Sequence, residues 1–123
     1  MIGIDTSAFQ RYINGITDRS TLAVDSALRE KIAHFPPIVL TEILSHPRLP
    51  DDVAERVKAI ALLPIHEGMW ERAGFMRAEL LRRGLKAHLA DCLIAQSCID
   101  NDAPLITCDR DFRHFQSAGL KVI

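Results

Sequence analysis

Four carboxylates in this chain stand where an acid needs a reason. Asp91 lies within Ala87-His88-Leu89-Ala90-Asp91-Cys92-Leu93-Ile94-Ala95-Gln96, an almost wholly apolar stretch of helical character. Burial raises the pKa of a carboxyl group, and leaving it ionised without a partner costs several kcal/mol, so Asp91 calls for a cation, a cleft or a strong hydrogen-bond donor. Asp5 follows the apolar run Ile2-Gly3-Ile4, Glu42 follows Ile38-Val39-Leu40 across Thr41, and Asp109 follows Pro104-Leu105-Ile106-Thr107 across Cys108. Taken singly, Asp5 reads as a helix cap and Glu42 as an acid in a first helical turn, where the dipole favours it by about 0.3 to 1 kcal/mol. The same motif three times, apolar run then acid, is what capping alone does not explain.

If these acids share one volume, they repel each other by several kcal/mol even at an effective dielectric of about 20. A divalent cation removes the conflict. Ligands that are all oxygen select a hard ion such as Mg²⁺ or Mn²⁺, whereas the chain has no His-x-x-x-His and no Cys-x-x-Cys to favour zinc. One or two such ions suit hydrolysis of a phosphodiester, one activating the attacking water and the other neutralising the leaving oxygen. The metal would also turn a phosphate-repelling pocket into a phosphate-binding one.

Bringing the acids together requires strands that end at a common edge. Ile2-Gly3-Ile4 predicts a first strand, running through Thr6-Ser7 into a helix that ends at Asn14-Gly15. From Ser20, the steps Val24, Leu28, Ile32 and Phe35 predict one face of a second helix, stopped by Pro36-Pro37. Ile38-Val39-Leu40 then predicts a buried strand, with Thr41 capping a helix that carries Glu42 in its first turn. Asp51 or Asp52 caps a helix with Val53, Val57, Ile60 and Ala61 on its apolar face, and Leu62-Leu63-Pro64-Ile65 is at best a short edge strand, since proline cannot donate to a ladder. The longest helix spans 68–83, with Met69, Ala73, Met76 and Leu80 on one side and Trp70, Phe75 and Leu81 on another; a larger single core is the simpler explanation of the two faces, a partner chain the other. A core-facing helix over 88–100, a strand over 104–107 and a last strand over 119–123 complete the chain. Strands alternating with helices argue an α/β domain with a mainly parallel central sheet flanked by helices on both faces, where ligands sit outside the carboxyl ends of the strands.

Composition bounds the rest. The 123 residues, 48% of them apolar, suffice for one packed domain over 1–123. The formal net charge is −1, so no overall basic field draws nucleic acid or an anionic membrane, and phosphate binding must be local. Met1-Ile2-Gly3-Ile4-Asp5 lacks a basic leader, and no apolar run nears the roughly 20 residues of a membrane span, so a soluble cytoplasmic protein is expected. Of the three cysteines, Cys92 and Cys98 would lie about 9 Å apart along one helix, beyond disulfide reach. They are expected as small buried hydrophobes in a reducing compartment. Arg82 and Arg83, with Lys86 and His88 just beyond Gly84, make a basic cluster near Asp91. Cations favour a helix C-terminus in any case; the functional alternative is contact with an RNA backbone.

Asp5-Thr6-Ser7, Thr41-Glu42-Ile43, Ala90-Asp91-Cys92-Leu93-Ile94-Ala95 and Thr107-Cys108-Asp109-Arg110-Asp111-Phe112 resemble, in order and across the whole chain, the four acidic motifs of the PIN domain. Length and single-domain build are similar to the VapC-type toxins of toxin–antitoxin pairs. That resemblance implies an Mg²⁺- or Mn²⁺-dependent endoribonuclease with Asp5, Glu42, Asp91 and Asp109 as catalytic, metal-binding acids. It implies accessory roles for Thr6, Thr107 and Asp111, a homodimer, and a small antitoxin partner that inserts a segment at the active site. A PIN-like module that binds RNA or protein without catalysis is the alternative. Receiver and haloacid-dehalogenase folds fit poorly: a receiver needs an acid pair after the first strand and a phospho-accepting aspartate after the third, where Leu63-Pro64-Ile65-His66 stands, and Asp5-Thr6-Ser7 lacks the second acid of the Asp-x-Asp that a haloacid dehalogenase needs.

Overall fold

A computed structural model describes residues 1–123. Three crossovers build one four-stranded sheet. Strand β1 (Ile2–Ile4) leads through helices α1 (Thr6–Ile13) and α2 (Arg19–Arg29) to β2 (Ala33–Phe35). Helices α3 (Pro37–Leu44) and α4 (Asp51–Lys58) connect β2 to β3 (Ala61–Leu62), and α5 (Met69–Arg82) and α6 (Leu89–Asp100) connect β3 to β4 (Leu105–Ile106). A 3₁₀ helix, Arg110–Ala118, follows β4. The strand order is β3-β2-β1-β4 and every pairing is parallel, as the α/β expectation requires. The first two crossovers step one way from β1 and the third returns past it. Right-handed connections therefore place the two sets of helices on opposite faces, and the order reverses between β1 and β4.

The elements differ from the sequence expectation mainly between residues 29 and 44. The second helix stops at Arg29 rather than at Phe35. Lys31 takes a left-handed conformation, φ 58°, while Lys31 N–H donates to Leu28 O and Ile32 N–H to Ala27 O. That bonding is a Schellman stop, usually marked by glycine, and lysine in its place conceals it from sequence. Ala33-His34-Phe35, expected on the helix, forms β2 with Ala33 and Phe35 buried. Pro36-Pro37 then begins a helix instead of ending one, because proline at the first helical position loses no bond. The expected strand Ile38-Val39-Leu40 consequently lies within α3, and Thr41 caps nothing. A short apolar run has no periodicity with which to separate a buried helix from a strand.

Smaller shifts follow the same logic. Asp51 and Asp52 stand in the first turn of α4, but Pro50 holds the cap position. The edge strand is Ala61–Leu62, which takes Ala61 off the α4 face. Residues 119–123 contribute only a parallel bridge, Leu105 to Val122. Inside, Phe9 meets Phe35 edge-on at 5.1 Å, and Phe112 and Phe115 of the 3₁₀ helix are buried. The single-core reading of α5 does not hold: Met69, Ala73 and Leu80 are buried, while Trp70, Phe75 and Leu81 are 57%, 75% and 47% exposed.

Candidate functional site

The site is set by the register of β1 against β4, with Gly3 beside Leu105 and Ile4 beside Ile106. One residue further along each strand, Asp5 and Thr107 become neighbours at the switch point of the sheet. Thr107 Oγ1 donates to Asp5 Oδ2 at 2.8 Å, and Ser7 Oγ donates to the same oxygen at 2.7 Å. Those hydroxyls are held in turn: Asp109 N–H donates to Thr107 Oγ1 at 3.0 Å, and Cys108 N–H to Ser7 Oγ at 3.2 Å. Asp5 is only 5% exposed, and although it occupies the cap position of α1 its side chain makes no capping bond. Capping is therefore not its role. Its Oδ1 takes no hydrogen bond and is not sealed from solvent, leaving one oxygen of the carboxylate free.

Glu42 is the sixth residue of α3, well past the first turn. There the helix dipole gives a carboxylate no help. Its Oε1 instead accepts from Thr6 Oγ1 at 2.8 Å, which ties α3 to the start of α1 beside Asp5. Asp91 stands in the first turn of α6, after His88 at the cap position. Its carboxyl is pushed up from 3.8 to about 6, first by burial, then by repulsion from Asp109 and Asp5, with a smaller push from Glu42 and an opposing pull from His88. Asp91 thus lies within electrostatic reach of the other three acids. None of the four forms an ion pair with lysine or arginine.

Asp109 does have an ordinary duty as well. Its Oδ1 accepts from Asp111 N–H at 2.9 Å, capping the 3₁₀ helix. Asp111 turns its side chain to Lys86, 3.7 Å away. The basic residues near Asp91 are similarly occupied: Arg82 pairs with Glu79 at 2.9 Å and Arg83 donates to Ser117 Oγ at 3.1 Å. His88 is exposed. Ser7, which binds the buried acid and anchors the turn after β4, is a site residue that the sequence expectation leaves out although it stands in the Asp5-Thr6-Ser7 motif. Its signal is its place two residues beyond Asp5, a separation at which a hydroxyl reaches the carboxylate.

No three acid, imidazole or thiol side chains are arranged to hold one ion directly. The donor set still suits a hydrated hard cation. Mg²⁺ keeps several of its waters and commonly takes only one or two carboxylates from the protein, and the unpaired, mutually repelling acids around Asp91 lack a counter-charge.

A family comparison decides what this arrangement belongs to: the PIN domain matches residues 2–117, a span that includes all four acids. The chain belongs to the PIN domain family. A solved structure of VapBC-5, a member of the VapBC family of toxin–antitoxin systems from Mycobacterium tuberculosis, is similar to this PIN domain with a TM-score of 0.67. The two share 19% identity, over 99% of this chain and 96% of that one, a likeness of fold. No curated protein matches the chain. The acids of this PIN domain thus come from the residue after β1, from α3, from α6 and from the turn after β4, and no helix is long and apolar enough to cross a membrane.

Proposed function

We propose that this PIN domain is a cytoplasmic endoribonuclease that hydrolyses RNA phosphodiester bonds with Mg²⁺ or Mn²⁺, acting as the toxin of a VapBC-like pair. The observation that carries the reading is the convergence of the acids: Thr107 joins Asp5 to the turn that carries Asp109, Thr6 ties Glu42 to the start of α1 beside Asp5, Asp91 lies within repulsive reach of all three, and none of the four is paired with lysine or arginine. In this reading Asp5, Glu42, Asp91 and Asp109 hold the metal. A bound ion supplies an activated water and neutralises charge on the leaving oxygen. The chain's own part is positioning: Ser7 and Thr107 fix one oxygen of Asp5 and leave the other free, and Thr6 orients Glu42. Asp111, held by Lys86, steadies the turn that carries Asp109.

Labelled RNA incubated with the purified chain tests it. Internal cleavage is expected with Mg²⁺ or Mn²⁺ and is expected to fall to background with a chelator, while cleavage that persists in chelator would remove the metal from the mechanism. The partner under this reading is a small antitoxin, so growth arrest on expression should be relieved by co-expressing a short adjacent reading frame; unchanged arrest with every neighbouring frame counts against the pair. A non-catalytic module that binds RNA or protein is favoured by the lack of a direct three-ligand arrangement. A calorimetric titration without divalent binding at millimolar concentration would decide for it.

Homodimerisation belongs to the same proposal. Trp70 and Leu81 on one side of α5, and Phe75 on another, stand open to solvent, and exposed aromatic anchors of this kind favour association. Light scattering should give twice the chain mass for the wild type and a monomer for Phe75→Glu. A monomeric wild type would end the dimer proposal.

A further inference from the structure

Beside the acids runs an open groove of about 690 Å³, lined on one side by Thr107 and Asp109 and on another by Arg19 and Ser20 at the start of α2. The 3₁₀ helix supplies its floor. With three residues per turn, side chains at i, i+3 and i+6 stack on one face, which here brings Arg110, Arg113 and Gln116 into line. The opposite face carries Phe112 and Phe115 into the core, so the orientation of the stripe is fixed by burial.

Arg19, Arg110 and Arg113 are exposed and none is in an ion pair or a side-chain hydrogen bond. Every other arginine around the site is engaged: Arg11 by Asp18, Arg82 by Glu79, Arg83 by Ser117 and Arg77 by the Ala87 carbonyl. Asp18, the other acid of the groove, is neutralised by Arg11 and by the donors Ser20 and Thr21. In a chain of net charge −1, three uncommitted guanidinium groups beside the acids are a local field of the sign a phosphate backbone needs. Arg110 and Arg113 lie about 6 Å apart along the 3₁₀ axis, on the order of the spacing of successive phosphates in an extended strand.

We propose that this groove, through Arg19, Arg110 and Arg113, is the track that holds the backbone of single-stranded RNA as it leaves the acidic site. The proposal rests on the nuclease reading for its direction but is tested by binding alone. A fluorescein-labelled single-stranded RNA is titrated, without divalent metal, into the full chain carrying Asp91→Asn, with and without Arg19→Gln, Arg110→Gln and Arg113→Gln together. The added triple substitution is expected to weaken binding at least tenfold and to lower the slope of log affinity against log salt by about 2. Arg82→Gln with Arg83→Gln should change binding less than twofold. Circular dichroism melting of each variant establishes that it is folded; should the triple variant fail to fold, the three single variants replace it, each expected to lower the slope by about 0.7.

Binding within twofold of the parent after loss of all three arginines, or a loss carried by Arg82 and Arg83 instead, would overturn the track. So would capture of an acidic polypeptide by the groove with RNA affinity untouched, which would make it a protein-binding surface. Cleavage by the wild type with the groove variants binding as before sinks the track and leaves the nuclease. Binding lost in the groove variants of a chain that cleaves nothing sinks the nuclease and leaves the track.

Discussion

Asp91→Asn is expected to lower RNA cleavage by at least about a hundredfold and, in the metal-free protein at pH 7 to 8, to raise stability. The two effects have one cause. A carboxyl held near 6 rather than 3.8 disfavours its ionised form by up to about 3 kcal/mol. Solvent screens part of that at a half-buried group, so about 1 to 2 kcal/mol is the expected gain on replacing it with a neutral isostere. The sign follows from proton linkage. The folded chain binds the Asp91 proton more tightly than the unfolded one, so the contribution of Asp91 to stability falls as pH rises from about 4 to about 6, and its full penalty is present above that. The difference in Tm between Asn and Asp should therefore be near zero at pH 4 and largest above pH 6. Mn²⁺ should reverse the order. It stabilises the wild type by about 2.7 kcal/mol at a hundred times its Kd and leaves the variant little changed. Thermal melts at three pH values, with and without Mn²⁺, measure all of this. An Asn variant less stable than wild type at pH 8 would show that Asp91 is held by a favourable contact rather than strained against its neighbours.

The prominence of Asp91 was legible because an acid inside an apolar helix breaks a strong pattern, and the alternation of apolar runs with helices was enough for a parallel sheet. Glu42 was legible for the wrong local reason. Spacing placed it in a first helical turn after a strand, whereas the helix starts at Pro37, five residues before Glu42, and Thr6, not the dipole, holds the carboxylate. The strand at Ala33–Phe35 was hidden because Ile32 and Phe35 continue a helical period and the left-handed stop falls on lysine. The groove arginines were invisible for a related reason: Arg110, Arg113 and Gln116 line up fully at three residues per turn, and nothing in the sequence marks 110–118 as a 3₁₀ helix. Local chemistry reads out well where one interaction dominates, and poorly where tertiary packing chooses between two acceptable local conformations.

Gly3→Ala is expected to damage both stability and activity, and Cys98→Ala to restore both. A Cβ on Gly3 would fall 2.7 Å from Cys98 Sγ and 3.5 Å from Leu105 Cδ1. Both are buried, and Gly3 lies on β1 between β2 and β4, so the strand cannot retreat. Helix α6 must give way, at a cost of about 1 to 3 kcal/mol for overpacking of this kind. Cys98 stands seven residues after Asp91, two turns along the same face of α6, so whatever lifts Cys98 off β1 also moves Asp91 away from Asp5. A displacement of about 1 Å in a group that holds reacting partners can cost a hundredfold in rate. Removing the Cys98 sulfur returns the space. The double variant should recover stability and cleavage relative to Gly3→Ala, with a coupling of about 1 kcal/mol or more between the positions, measured by denaturant unfolding and by initial rates. A Gly3→Ala protein that loses stability yet cleaves RNA at the wild-type rate would show that the close packing of α6 on β1 does not set the position of Asp91.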